Sequence, residues 1–131
     1  MLLAIDIGNT NITLGVFQGD SIKATWRLAT DTHKLPDEYA LLIRSLLPLK
    51  GVDPKDIHSI AVCSVVPPLT HVFEELGATY FGCSPLVVGT GTRTGVRILY
   101  ENPRDVGADR VVDAAAAFTL YGGPVIIVDF G

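Results

Sequence analysis

The amino-acid sequence predicts one α/β domain in which helices cover a mixed β-sheet. Apolar segments of strand length alternate with longer segments whose apolar residues recur at helical spacing. The three strand-like segments nearest the N-terminus are joined by short turns, which favours an antiparallel start to the sheet. At 131 residues the chain is long enough for one compact domain and hardly for two. The predicted order is β-β-β-α-β-α-β-α-β.

The first three strands are predicted to form a meander. Residues 2–7 are an apolar run typical of a central strand that is buried on both faces. Residues 11–17 and 21–29 alternate between apolar and polar side chains, and a tight turn at 18–20 connects them. The side chains expected to share an apolar face are Ile12, Leu14 and Val16 in the second strand and Ile22, Ala24 and Trp26 in the third.

Three helices are predicted from proline starts and apolar stripes. Pro36 and the pair Pro67-Pro68 fit the first helical positions, and acidic residues follow Pro36 where the helix dipole favours them. The third helix covers 107–121 and is dense in alanine. The stripes are Tyr39, Leu42, Ile43, Leu46 and Leu47 in the first helix and Val72, Phe73, Leu76 and Tyr80 in the second.

Four further apolar segments complete the predicted sheet. Residues 59–66 and 125–128 are predicted as buried strands, residues 85–88 as a short strand, and residues 98–100 as another possible short strand. Cys63 lies in the first of these segments and is expected to be a small buried residue, because neither cysteine has a CxxC or histidine companion.

The composition excludes several classes of protein. Hydrophobic residues make up 48% and charged residues 18%, which is typical of a folded globular chain. The net charge of −4 gives no sign of nucleic acid or an anionic membrane as a general partner. The apolar start at residues 1–5 is too short for a signal peptide, and no run approaches the roughly 18 apolar residues of a membrane helix. A cytoplasmic protein is expected.

Two strand ends have the same pattern, "LLAIDIG" at 2–8 and "VIIVDFG" at 125–131. In each, an apolar run leads into an aspartate, Asp6 or Asp129, and then a glycine. A carboxylate at a strand end can coordinate Mg²⁺, and a glycine beside it lets the backbone approach a phosphate. A simple turn would use the same residues, but the repetition in register favours a phosphate–metal site.

The glycine-rich segment "GTGTRTG" at 89–95 is not a dinucleotide fingerprint. Its third glycine comes one position late and the helix that should follow is missing. No GxxxxGK[ST] phosphate loop occurs in the sequence either. An irregular turn is the favoured interpretation.

The motifs taken together resemble those of type III pantothenate kinases, which belong to the actin, hexokinase and Hsp70 superfamily. "DIGNTN" (6–11), "SVVP" (64–67), the glycine segment, "GADR" (107–110) and "DFG" (129–131) occur in the family's order, and "YENPRDVGADR" (100–110) is the most specific part. The sequence departs from the family's glycine segment at Thr90 and Arg93, where Pro and Lys are usual.

The resemblance implies a duplicated fold. Residues 1–118 would form an actin-like, ribonuclease H-like ATPase lobe, and residues 119–131 would begin a second lobe whose remainder is absent. ATP would lie between the lobes, so this chain alone is expected to be inactive.

The implied reaction transfers the γ-phosphoryl group of ATP to pantothenate, giving 4'-phosphopantothenate in the first step of coenzyme A synthesis. Asp109 would be the catalytic base, although the residues alone do not choose among Asp105, Asp109 and Asp113, and an acid in the first turn of a helix is otherwise ordinary. Asp129 would bind a monovalent cation, K⁺ or NH₄⁺, and Asp6 is the expected Mg²⁺ partner. The implied substrate residues are Tyr100, Gly107, Ala108, Asp109 and Arg110. The implied ATP residues are Asp6, Ile7, Gly8, Asn9, Thr10, Asn11, Ile12 and Thr13.

The resemblance also implies a homodimer. Two other functions stay open: another small-molecule kinase or a phosphohydrolase of the same superfamily, and a nucleotide-sensing regulator that has lost catalysis. The intact Asp6, Asp109, Arg110 and Asp129 argue against such a loss.

Overall fold

The computed structural model describes residues 1–89 and 91–130, and it contains a five-stranded mixed sheet. Thr90 and Gly131, two positions of the predicted motifs, lie outside the described residues. The sheet order is β3-β2-β1-β4-β5. The strands are β1 (Leu2–Ile7), β2 (Asn11–Gln18), β3 (Ser21–Ala29), β4 (Ser59–Ser64) and β5 (Leu86–Val87).

The N-terminal meander is confirmed, and β1 is the central strand. It pairs antiparallel with β2 and parallel with β4, so the register sets Asp6 between Thr13 and Cys63. β2 pairs antiparallel with β3, with Thr13 opposite Arg27. The second predicted buried strand ends at Ser64 rather than 66, because the Ser64 hydroxyl turns the chain by bonding to both backbone groups of Val66.

The three predicted helices are α1 (Pro36–Leu46), α2 (Pro67–Phe81) and α3 (Ala108–Tyr121). Proline occupies the start of α1 and of α2, as predicted. The Glu38 carboxylate accepts a hydrogen bond from the backbone N–H of Leu35 at 2.8 Å, which satisfies one free donor at the start of α1. Gly82 caps the C-terminal end of α2, with a φ of 65° in the left-handed region. The predicted α/β class and mixed sheet are confirmed, and so is the predicted order of strands and helices as far as α3.

The hydrophobic core lies between one face of the sheet and the helices α1 and α2. The Tyr39 and Phe73 rings, both fully buried, meet there with centroids 4.9 Å apart. Leu42 of the predicted stripe is 37% exposed and lies at its edge. The sheet contributes Leu3, Ile5, Ile7, Ile12, Leu14, Val16 and Val62 to this core.

The opposite face of the sheet is only partly covered, so the prediction that β1 is buried on both faces is wrong. Ala4 is half-buried and Asp6 is exposed. α3 lies on this side and covers only part of it, since Val112 forms one wall of a cavity of about 340 Å³ whose floor includes Ala4, Gly15 and Cys63. Cys63 itself is buried, as predicted.

Two predicted strands do not form. Residues 98–100 have irregular backbone, with Leu99 81% exposed. Residues 125–128 follow α3 without regular secondary structure and pair with no strand in the described part of the chain, and Ile126 is 91% exposed. An apolar run becomes a buried strand only where a neighbour accepts its hydrogen bonds, and the sheet ends at β5 without reaching this segment.

Within the described residues, no helix has both the length and the apolar character needed to cross a membrane.

Candidate active site

A cavity of about 410 Å³ opens where the β1–β2 hairpin meets the start of α3, and we call it the hairpin cavity. The hairpin forms one wall and α3 the other. The irregular segment after α3 reaches the same space through Asp129. The lining residues are Asp6, Gly8, Asn9, Thr10, Asn11, Thr13, Arg27, Val65, Asp109, Val112, Asp113 and Asp129.

Three hydrogen bonds hold the turn of the hairpin in place. The Gly8 N–H donates to the Asn11 carbonyl at 3.0 Å, and the Thr30 hydroxyl donates to the Gly8 carbonyl at 2.7 Å. The Thr30 N–H donates to the Thr10 carbonyl at 3.0 Å. A Cβ on Gly8 would lie 3.1 Å from the Asn11 carbonyl oxygen, so any other residue would push the two strands of this turn apart by a few tenths of an ångström.

Six of the eight predicted ATP residues line the hairpin cavity, and two do not. Ile7 and Ile12 are fully buried in the core on the other face of the sheet. Side chains along a strand point alternately to its two faces. Ile7 and Ile12 each neighbour a residue that faces the cavity, so their own side chains face the core. Any contact of these two residues with a ligand would have to come from the backbone.

The first turn of α3 brings Asp109 to the cavity. Its Oδ1 accepts a hydrogen bond from the Arg110 N–H at 2.8 Å, in the part of a helix where free N–H groups favour negative charge. Gly107 precedes the helix, and a Cβ at that position would overlap the Asp109 carboxylate. Gly107 thus leaves the space in which this carboxylate lies.

The four aspartates of the hairpin cavity affect one another electrostatically. Partial burial of its carboxyl group raises the pKa of Asp6, and the charges of Asp109, Asp113 and Asp129 raise it further, while a hydrogen bond with the Cys63 thiol lowers it. The pKa of Asp113 is likewise raised by burial and then by Asp129 and Asp109. Such mutual repulsion between carboxylates is relieved by a cation. The cavity is therefore suited to cations and to ligands that carry them.

Two further cavities adjoin the start of α3. The arginine cavity, about 400 Å³, is lined by Asp109, Arg110, Asp113, Ile127 and Asp129. The loop cavity, about 590 Å³, lies between the glycine-rich segment and the chain entering α3. It includes the predicted substrate residues Gly107 and Ala108.

Tyr100 and Asp105 lie apart from the four aspartates. Tyr100 is 64% exposed and lines none of these three cavities. Asp105 lines the loop cavity, where its Oδ1 accepts a hydrogen bond from the Asn102 side chain at 2.8 Å. Asp113 follows Asp109 by one helical turn and shares both acidic cavities with it. The sequence alone did not decide which of Asp105, Asp109 and Asp113 is the base. The structure places only Asp105 outside the two acidic cavities.

The donor set suits a phosphate-bridging cation better than a metal caged by protein alone. Within the described residues, no three His, Cys, Asp or Glu side chains are close enough to hold a metal together. Mg²⁺ typically takes one or two carboxylates and completes its shell with substrate phosphates and water. Asp6 beside the glycine turn fits that pattern. Asp129 offers the oxygen ligand that a monovalent cation needs.

Arg27 and Cys63 were not among the predicted site residues. Arg27 lies on β3 between Trp26 and Leu28, so strand alternation turns it away from the face that carries Trp26. Its register with Thr13 then brings it to the hairpin cavity. The alternating pattern in the sequence could have revealed Arg27, whereas the pairing of Cys63 with Asp6 required the parallel register of β1 and β4.

Comparison with known proteins gives the family. The model of the type III pantothenate kinase family matches residues 2–131. The type III pantothenate kinase of Moorella thermoacetica is 53% identical over 131 residues, which are 100% of this chain and 52% of that protein. The chain thus spans about half the length of this curated relative.

Among solved structures, one similar protein is from Porphyromonas gingivalis and is assigned as an N-acetylglucosamine kinase. The two share 16% identity with a TM-score of 0.49, over 66% of this chain and 33% of the Porphyromonas chain. The family match and the identity to the Moorella protein confirm the resemblance predicted from the motifs. This chain belongs to the type III pantothenate kinase family.

Proposed function

We propose that this protein transfers the γ-phosphoryl group of ATP to the primary hydroxyl of pantothenate, giving 4'-phosphopantothenate. Family membership supports the choice of ATP and pantothenate as substrates, and one structural observation supports the location of the active site. Asp6 from β1, Asp109 from α3 and Asp129 from the following segment all line one cavity, beside a glycine turn that exposes backbone to a ligand. Phosphoryl transfer depends chiefly on positioning and charge stabilisation, and such a cavity can supply both.

The β1–β2 hairpin is the proposed site for the phosphates of ATP. Gly8 admits the phosphates to the backbone, and the side chains of Asn9, Thr10, Asn11 and Thr13 supply amide and hydroxyl groups that can donate to phosphate oxygens. Three backbone and side-chain hydrogen bonds fix this turn before any ligand binds, which limits the entropy lost on binding.

Asp6 is the proposed Mg²⁺ partner and Asp129 the proposed ligand of a monovalent cation. When bound, such cations neutralise charge on the phosphates. The pKa of Asp6 is raised first by partial burial and then by the charges of Asp109, Asp113 and Asp129, and a bound cation would offset both effects.

Asp109 is the proposed base. It lines both the hairpin cavity and the arginine cavity, so its carboxylate can accept the proton of a hydroxyl group placed between them. Arg110 lines the second cavity and can bind the pantothenate carboxylate with its two parallel N–H donors. Gly107 and Ala108 leave room beside this end of the helix, and Tyr100 belongs to the proposed pocket on family resemblance alone.

The decisive experiment measures ADP release by the complete gene product with ATP, Mg²⁺, K⁺ and pantothenate. Asp109→Asn is expected to lower kcat by about 10²–10⁴-fold. Asp113→Asn tests the other acid of the same helix face. Asp20→Asn, on the turn after β2 and away from the cavities, is the matched control and should keep full activity.

The outcomes separate the open alternatives. Phosphate release that does not require pantothenate would favour a phosphohydrolase, and phosphorylation of a different acceptor would favour another small-molecule kinase. Nucleotide binding without turnover would favour a regulator. Full activity of Asp109→Asn together with loss in Asp113→Asn would transfer the role of base to Asp113. Omission of K⁺ tests the monovalent cation, and the mass measured in solution tests the homodimer.

A further inference from the structure

We infer that Arg27 of β3 binds a phosphate group of the nucleotide, opposite the glycine turn and across the same cavity. This inference rests on the proposed function, since it concerns the ATP site. It adds a phosphate-binding residue that lies outside the "DIGNTN" segment in the sequence.

The strand register places Arg27 at the cavity. It lies opposite Thr13 in the β2–β3 ladder, and both residues line the hairpin cavity. Thr30, three residues further along, bonds to Gly8 and to Thr10 and so ties the end of β3 to the turn of the hairpin. The position of Arg27 relative to that turn is therefore fixed by the backbone.

Arg27 is a basic residue in an acidic cavity. The hairpin cavity is lined by four aspartates, and Arg27 is the one basic side chain among its described lining residues. Even so, no hydrogen bond or ion pair of its guanidinium occurs between described residues, and the side chain is exposed. Its donors are available to a ligand rather than committed to structure.

The chemistry of guanidinium favours a phosphate as that ligand. Arginine presents planar, parallel N–H donors that match two oxygens of a phosphate, and it keeps its charge at every physiological pH. A polyphosphate entering this acidic space brings negative charge of its own. Arg27 would offset part of that charge directly, in addition to any cation. Its contribution should then depend on the phosphates and not on the nucleoside.

The test compares the binding of ATP, ADP and adenosine to the complete gene product by calorimetry, with Mg²⁺ present. Arg27→Gln is expected to weaken ATP binding by roughly 10-fold or more, the usual effect of losing a charged hydrogen bond, and to leave adenosine binding unchanged. Arg27→Lys should restore part of the loss, because it keeps the charge without the fork. Lys23→Gln removes a positive charge from the same strand outside the lining of the cavity and is the matched control.

Three results would overturn the inference: unchanged ATP affinity in Arg27→Gln, an equal loss for adenosine, or an equal loss in Lys23→Gln. Thermal unfolding of each variant shows whether the fold is kept, and Arg27→Lys supplies a second variant if Arg27→Gln is unstable. The readout is independent of the acceptor. A protein that binds ATP through Arg27 but does not phosphorylate pantothenate would support this inference and refute the proposed function.

Discussion

Replacement of Gly107 by alanine should displace the proposed catalytic base without changing its chemistry. The backbone of Gly107 has φ of −59° and ψ of 147°, a conformation that alanine adopts freely. The new methyl would overlap Oδ1 of Asp109, while its contact with Val65 Cγ1 at 3.5 Å would be ordinary. The Asp109 carboxylate must therefore move and lose its hydrogen bond from the Arg110 N–H.

The size of the effect follows from two opposing contributions to stability. Alanine restricts the unfolded chain and stabilises the protein by about 0.4–1 kcal/mol. The overlap is with the carboxylate end of a half-buried side chain that can rotate away, so its cost is that of a shifted rotamer and a lost hydrogen bond, about 0.5–1.5 kcal/mol. In an Asp109→Ala background the overlap disappears, so Gly107→Ala should there be stabilising. A shift of the carboxylate by about 1 Å should lower kcat by about 10²-fold.

A double-mutant cycle tests this reasoning. Urea unfolding of the wild type, the two single variants and the double variant should give a coupling of about 0.5–1.5 kcal/mol between positions 107 and 109. Steady-state ADP release measures kcat for the same proteins. Gly91→Ala, where a Cβ would meet nothing within 4 Å, is the control. Additive unfolding energies, or full activity of Gly107→Ala, would refute the proposal that Gly107 makes room for Asp109.

Three further predictions concern the core, the acidic cluster and the buried thiol. Phe73→Ala should lower the free energy of unfolding by about 3–5 kcal/mol in urea titrations, because the ring is fully buried against Tyr39; a loss under about 1 kcal/mol would contradict this packing. The pKa of Asp6 is raised from 3.8, so the native state holds this proton more tightly than the unfolded chain, and the resulting stability is lost as the pH rises through the raised value. The unfolding free energy of Asp6→Asn should accordingly fall less than that of the wild type between about pH 4 and 7, and parallel curves would show that folding does not raise the pKa of Asp6. Burial, and then the charge of Asp6, raises the pKa of the Cys63 thiol to about 12. Iodoacetamide at about pH 8 should therefore label Cys83 before Cys63 in the native protein, as peptide mass spectrometry can detect. The reverse order would contradict the burial of Cys63.

The parts of the fold that depend on local sequence were predictable. Pro36 and Pro67 start helices because a fixed φ and a missing N–H suit the first helical position. The alternation in residues 11–17 correctly separated the core face from the site face. Residues 125–128 show the limit of such reasoning. Their apolar character is readable from the sequence, but whether a neighbouring strand is present to pair with them is not.

The candidate site residues that could be predicted from the sequence are those near the end of a strand or the start of a helix. Asp6 lies near the end of an apolar strand and Asp109 in the first turn of a helix, and either position can be read from the sequence. The distinction between Asp109 and Asp113 could not be read, because residues four apart share a helix face. Arg27 and Cys63 reach the site through strand pairing, and their roles depend on a register that only the folded sheet defines.

The hydrogen bonds between Thr30 and the hairpin turn also have a consequence for inserted residues. One end of the β2–β3 pair should not tolerate an insertion, whereas the other end should. Extra residues beside Gly8 would break a turn held by three hydrogen bonds. The turn at Gly19, with φ of 58° and open space around it, lies at the other end of the eight-residue β2, roughly 25 Å away. An affinity tag or a fluorescent label introduced there would report on this protein while leaving its ligand site intact.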